Sequence, residues 1–322
     1  MNESSKIAQR FCELAISQAH KLAIQFGMPG HTEDFDFAKF WRRVERVTGH
    51  LQSTHGLKVG QRVAWLGLNH ELQLVTLVAC ARLGLIFMPL NFRLATAELR
   101  VVLEDAKPSM LIHDTLHAEV AKSLSKNGLP SDSLESFISS PSPQNLLLPD
   151  LANDTDVLLV YTSGTTGKPK GAMHSHAGLV YAVRGFNTLA RQDARDDRMC
   201  FLPLCHIVER IGGEYHALYT GAVLNFVENP ETIPENVREI APTVFVAVPR
   251  VWEKFYSSVM IALKESSPLQ QMTYAWGIGV GQRIAERVLA QQAVSWVLKC
   301  QFTLARWLVL NNVRKLIGIH RA

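Results

Sequence analysis

Cysteine pairs, blocks of one charge and long unbroken apolar runs are missing from this chain, and each absence removes a class of function. The five cysteines (Cys12, Cys80, Cys200, Cys205, Cys300) form no CxxC pair and are odd in number. That argues against a disulfide framework and fits a reduced intracellular compartment. Cys200, Cys205 and His206 stand close together, but no fourth ligand lies at usable spacing, so they read as core cysteines rather than zinc ligands. The net charge is only +4, and without a basic block nothing points to nucleic acid. The start, Met1-Asn-Glu-Ser-Ser-Lys6, has no apolar stretch of the signal-peptide kind. Two segments are apolar enough to test as membrane spans. Leu72–Leu90 carries one charge, Arg82, and is punctuated by Gly84 and Pro89, whereas Val294–Leu310 carries Lys299 and Arg306. Both read as buried or amphipathic helices. A cytoplasmic location is expected, with peripheral membrane contact through the second segment as the alternative.

An apolar content of 47% over 322 residues is enough for a large core spread over two lobes. Phe37, Phe40, Trp41, Val44, Val47, Thr48 and Leu51 recur at helical spacing and predict an amphipathic helix over 35–54. Beyond Gly56 and Gly60, strands and helices alternate: strand 62–68, helix 70–83, strand 85–88, helix 96–106, strand 109–113, helix 115–125. Short connections between them predict right-handed crossovers and a parallel sheet. Residues 126–150, rich in serine and holding Pro130, Pro141 and Pro149, read as a surface connection. It separates a first α/β lobe (1–125) from a second (151–322). In the second lobe helices are predicted over 175–189, 207–219, 234–240 and 250–264, with strands over 198–203, 222–228 and 243–248. From 268 to 318 the pattern is mostly helical.

The segment Tyr161-Thr-Ser-Gly-Thr-Thr-Gly-Lys-Pro-Lys-Gly-Ala-Met-His174 carries the clearest chemistry. Its glycines let backbone N–H groups approach an anion, the hydroxyls of Thr162, Ser163, Thr165 and Thr166 can donate to phosphate oxygens, and Lys170 supplies a point charge. Pro169 stiffens the exit. The spacing is not Walker A, because Pro169 or Ala172 falls where the second glycine belongs. A plain flexible linker is disfavoured by the apolar run Val157-Leu-Leu-Val-Tyr161, which enters the loop directly. Further on, Leu202-Pro-Leu-Cys-His-Ile-Val-Glu-Arg210 puts His206 just past a strand end, where ligand-facing residues gather in parallel sheets. Read alone, that segment gives a structural histidine and a Glu209–Arg210 surface pair.

Tyr161–Gly171 resembles the ATP-binding signature of the adenylate-forming superfamily, which includes acyl-CoA synthetases, luciferases and peptide-synthetase adenylation domains. The 202–210 segment, Pro242-Thr-Val-Phe-Val-Ala-Val-Pro-Arg-Val-Trp-Glu-Lys254 and Val313-Arg-Lys-Leu-Ile-Gly318 are similar to its long-chain fatty acid–CoA ligase branch. Gly60-Gln-Arg-Val63, Asn69 and Met88-Pro-Leu-Asn91 resemble the family's first lobe, and fit short- and medium-chain ligases equally well. The resemblance implies an α/β fold, the parallel-sheet αβαβα layered N-terminal domain of that superfamily in incomplete form. It implies that a fatty acid or other carboxylic acid reacts with ATP to give an acyl-adenylate and pyrophosphate, after which coenzyme A displaces AMP. By carry-over, Thr162, Ser163, Gly164, Thr165, Thr166, Gly167, Lys168 and Lys170 would hold the phosphates. Thr166 would serve Mg2+, and His206 would stand between acyl pocket and adenylate. Trp252 would border an acyl tunnel, or else be core packing.

The family's later motifs have no counterpart here. These are the adenine-contacting loop, the aromatic-Gly-x-Thr-Glu segment with its magnesium-holding Glu, the ribose-binding Asp, the hinge and the lysine of the small mobile domain. The expectation is an N-terminal portion with weak or no ligase activity by itself, open sheet edges and exposed apolar surface. A non-catalytic ATP-binding or interaction module is the competing reading.

Overall fold

The computed structural model describes residues 6–28, 31–53, 55–133, 136, 146–162, 167–227 and 231–322. The chain forms two compact units, Met1–Glu228 and Asn229–Ala322.

The first unit is built on two sheets. In chain order its elements are α1 (Ile7–Ser17), β1 (Leu22–Met28), β2 (His31–Asp36), α2 (Phe37–Ser53), β3 (Arg62–Leu66), α3 (Glu71–Leu83), β4 (Ile86–Pro89), α4 (Thr96–Ala106) and β5 (Met110–His113). There follow α5 (Ala118–Leu124), β6 (Ser131–Ser133), β7 (Asp156–Thr162), β8 (Lys170–Ser175), α6 (His176–Leu189) and β9 (Asp197–Cys200). A composite helix comes next: α7 (Ile207–Glu209), a π-helical turn (Arg210–Tyr215) and α8 (His216–Thr220), before β10 (Val223–Phe226). The six-stranded sheet has the order β6-β5-β3-β4-β7-β8, and the four-stranded sheet β2-β1-β10-β9. Pairing is parallel throughout the six-stranded sheet except at β7–β8. Both sheets draw strands from either side of 126–150.

The period-two pattern of β3 sorts the two faces of the six-stranded sheet. Ala64 and Leu66 join Leu99, Val102 and Leu103 of α4 and Ala121 and Leu124 of α5 in one core. Val63 and Trp65 enter a larger core with α1, α2, α3 and the four-stranded sheet. The stripe expected over 35–54 packs there: Phe37, Phe40, Val44, Val47 and Leu51 are all buried. The apolar segment 72–90 is likewise explained by burial, for every residue of α3 except Arg82 is buried. A helix apolar on all sides suits a core as well as a bilayer. No helix among the described residues is long and apolar enough to cross a membrane.

The second unit holds α9 (Ile233–Ile240), α10 (Pro249–Lys264), α11 (Pro268–Leu289), α12 (Trp296–Ala305), a π-helical turn (Arg306–Leu310) and α13 (Asn311–Leu316). Pro at the first turn starts α9, α10 and α11, where its missing N–H costs nothing. Ser267 and Gln270 cap α11 reciprocally. One small cluster in this unit gathers Val280, Leu298 and Ala305, backed by Ile284, Val294 and Phe302, and Val237, Val251, Phe255, Val259 and Val309 are buried as well.

Two differences from the sequence reading have physical causes. The strand expected over 243–248 enters neither sheet, and Val246 and Val248 are exposed. An apolar β-branched run becomes a strand only when a ladder partner meets it. Conversely β8, with the pattern Lys-Gly-Ala-Met-His-Ser and mostly exposed, is a strand because β7 pairs with it from Asp156 to Thr162.

Candidate functional site

The glycine- and hydroxyl-rich segment of 161–174 connects β7 to its antiparallel partner β8. In the register of this pair Thr162 lies opposite Lys170 and Tyr161 opposite Gly171. Directly opposed residues share a face of the ladder, so a hydroxyl and an ammonium stem stand side by side where the chain enters and leaves the tip. Thr162, Gly167, Lys168 and Lys170 are all exposed. Gly167 has φ +86°, a left-handed backbone that glycine adopts without strain. Ser163, Gly164, Thr165 and Thr166 lie outside the described residues.

The base of the hairpin is anchored by packing. A Cβ at Gly171 would lie 2.8 Å from Leu159 Cδ1 and 3.1 Å from the Tyr161 ring, so the absence of a side chain lets that ring lie across the partner strand. The Tyr161 hydroxyl donates to Asp105 Oδ2 of α4 at 2.5 Å. Burial, and then the Asp105 hydrogen bond, push the phenol pKa well up, so Tyr161 is a neutral strut.

His206 stands at the exit of β9. It is exposed and caps α7 in extended backbone, φ −100° and ψ 136°. Its N–H donates to the Pro203 carbonyl at 3.1 Å, and its carbonyl accepts from the Arg210 N–H at 3.2 Å. The preceding turn is latched to the other sheet by Asn69, just past β3. Asn69 Nδ2 donates to the Leu202 carbonyl at 2.8 Å, and its Oδ1 accepts from the Leu204 N–H at 3.0 Å. β3 is separated from β7 by β4 alone, roughly two strand spacings or about 10 Å, and all three run parallel. The latch therefore holds the His206 turn at the carboxyl edge from which the β7–β8 hairpin also rises. That edge is where ligands bind in open α/β sheets.

Behind His206 lies a buried charged cluster. Arg198, Glu209, Arg210 and Glu214 are at most 3% exposed, which overturns the reading of Glu209–Arg210 as a surface pair. Arg210 donates to the Leu204 carbonyl, pairs with Glu214 and lies 5.1 Å from the Phe87 ring centre of β4. Burial raises the Glu209 carboxyl to about 8 against the opposing pull of Arg198 and Arg210, so at neutral pH it is mostly protonated. Gly213 makes room for it, since a Cβ there would meet Glu209 Oε1 at 2.5 Å. The π-helical turn spanning Arg210–Tyr215 is a rare geometry that tends to mark functional segments. Charges this deep are retained only when paired; Arg210 is matched by Glu214, and its bond to the Leu204 carbonyl fixes the backbone two residues before His206. The i,i+4 spacing of Arg210 and Glu214 was the sequence signal for the pair; nothing marked Arg198 as buried.

Cys200 and Cys205 are buried, and burial pushes both thiols above their ordinary range, as core cysteines require. Trp252, in the second unit, packs edge-to-face with Phe245 and Phe255 at 5.6 and 5.9 Å and is 41% exposed.

Comparison with known proteins bears on the family and the fold. Residues 13–299 match the AMP-binding enzyme family. The chain is 38% identical to a feruloyl-CoA synthase from an Amycolatopsis species over 58% of its own length and 37% of the relative's. It is 31% identical to the long-chain-fatty-acid–CoA ligase ACSBG2 of Gallus gallus over 60% of its length and 24% of that protein's. It thus spans well under half the length of the curated relatives it matches. The crystal structure of ATP-bound MatB from Rhodopseudomonas palustris superposes with a TM-score of 0.64 at 23% identity, covering 74% of this chain and 47% of that one, which shows a shared fold. With the hairpin, the parallel sheets and a family match over most of its length, the chain belongs to the AMP-binding enzyme family.

Proposed function

We propose that the β7–β8 hairpin binds the phosphates of ATP and that the chain acts within an acid–thiol ligase. In the reaction, a carboxylate oxygen attacks the α-phosphorus of ATP, pyrophosphate leaves and an acyl-adenylate forms. The thiol of coenzyme A then displaces AMP to give the thioester. The observation that carries this reading is the pairing of Thr162 with Lys170 at the hairpin mouth, on the same sheet edge as the Asn69-latched His206 turn.

In such a step, catalysis is mainly positioning and charge neutralisation. Lys170 and Lys168 supply positive charge, the hydroxyls of Thr162, Ser163, Thr165 and Thr166 supply donors, and His206 borders the acyl group. Mg2+ would enter with the nucleotide, with Thr166 as its side-chain ligand, and would neutralise phosphate charge. The acid is a carboxylic acid whose class is fatty or aryl, since both kinds of ligase are among the relatives. The family's later motifs have no counterpart in these 322 residues, so slow or no turnover is the expected behaviour of the chain alone.

Isotope exchange between pyrophosphate and ATP, run with a panel of fatty and aryl acids on an enzyme containing this chain, tests the assignment. Acid-dependent exchange that is lost in Lys170→Ala supports it. Exchange independent of any acid, or unaffected by Lys170→Ala, contradicts it.

A further inference from the structure

At the other edge of the six-stranded sheet from β8, three side chains converge that the proposed reaction does not use. His50 lies in the last turn of α2, His55 two residues beyond the end of that helix, and Asp132 in the short edge strand β6. His55 Nε2 is 2.8 Å and His50 Nε2 3.1 Å from the same oxygen, Asp132 Oδ2. All three ligand atoms fall within 4.8 Å of one another. The rings meet edge to face with centroids 5.3 Å apart, and the three side chains are only 12–23% exposed.

The geometry points to a divalent-cation site of the zinc type, with His50 Nε2, His55 Nε2 and Asp132 Oδ2 as its ligands. Zinc takes imidazole nitrogen and carboxylate oxygen at about 2.0–2.2 Å, which in a tetrahedron sets ligand atoms roughly 3.4 Å apart. The nitrogen–oxygen separations here, 2.8 and 3.1 Å, fall about 0.6 and 0.3 Å short of that value, a gap that small side-chain rotations close. Two histidines with four residues between them, and a third ligand from distant sequence, follow the spacing by which zinc sites are commonly assembled. Three protein ligands leave a fourth position for water. The carbonyls that end α2 carry the negative pole of the helix and favour a cation there. Oxygen and nitrogen donors without sulfur disfavour copper(I) and favour zinc or its neighbours.

A bound ion would replace the two histidine–carboxylate hydrogen bonds and clamp the end of α2 to the edge strand. Because β6 is a three-residue edge strand that pairs with β5 alone, the clamp would tie it to a second element.

The test uses the full chain, without an affinity tag, in a Cys12→Ser, Cys300→Ser background that removes the more accessible thiols. Zinc is titrated by calorimetry and cobalt(II) by visible absorption. The expected result is one ion per chain, a tetrahedral cobalt spectrum without thiolate charge transfer, and a melting temperature that rises on zinc addition. In His55→Gln and Asp132→Asn the affinity should fall at least about tenfold, the loss expected when a metal ligand or its support is removed. Should the variants fail to fold, the cobalt spectrum of the unaltered triad still decides. Absence of saturable binding, a thiolate-type spectrum, or binding unchanged in the variants would overturn the site and leave a hydrogen-bonded His–Asp–His triad.

Discussion

Lys170 is the residue on which the nucleotide reading turns, because it is exposed and opposite Thr162, so its removal costs the fold little. Replacing it with alanine is expected to weaken ATP binding by about tenfold or more, the loss of one charge-assisted contact, while the urea midpoint stays put. Equal affinity in Lys170→Ala would show that the phosphates lie elsewhere. Glu209 makes a different test. Its carboxyl is raised from 4.5 to about 8 by burial, so the folded chain keeps a proton that the unfolded chain releases. The stability from that proton is full below pH 4.5 and is lost as the pH rises toward 8. His176 and His216 act in the opposite sense. Burial lowers each from 6.5 to about 4, aided by the charge of Lys6 at the first and of Arg198 at the second. Their contribution is full above pH 6.5 and is lost as the pH falls toward 4. Urea midpoints plotted against pH should therefore form a dome, and Glu209→Gln should flatten its alkaline side. An unchanged alkaline slope would mean that Glu209 is ionised in the folded chain.

At the scale of elements, two joints hold the site. Asn69 supplies a donor and an acceptor to the backbone at Leu202 and Leu204. Asn69→Ala strands both groups, and a destabilisation of about 1–3 kcal/mol is expected in denaturant titration. Gly171→Ala drives a methyl against Leu159 and Tyr161, an overpacking that costs about 1–3 kcal/mol; a neutral effect would mean that the hairpin base is loose. The elements themselves were largely legible in the sequence where periodicity was strong. The helices expected over 35–54 and 96–106 form as Phe37–Ser53 and Thr96–Ala106, because burial of one stripe and helix propensity agree. What stayed hidden depended on long-range pairing. The reading made no strand of β8, whose register is imposed by β7, and made one of 243–248, which joins neither sheet. The hairpin chemistry and His206 could be picked out from residue types alone. The Asn69 latch joins residues 133 and 135 positions apart, and no local pattern announces it.

On the scale of the whole molecule, the first unit buries most of its apolar residues, while the second, much the smaller, leaves many in solvent. Trp296 and Trp307 are 76% and 71% exposed, and Tyr256, Leu269, Met272 and Leu289 exceed 60%. Apolar surface of this extent promotes association, so the 322-residue chain should self-associate in light scattering as its concentration rises. A monodisperse monomer at high concentration would contradict that. The central claim is that the β7–β8 hairpin holds the phosphates of a nucleotide, and its most direct measurement is calorimetric titration of ATP into this chain and into Lys170→Ala. The account expects saturable one-to-one binding that weakens strongly in the variant and weakens again when AMP replaces ATP. No binding to the folded chain, or binding indifferent to Lys170 and to the number of phosphates, would contradict it.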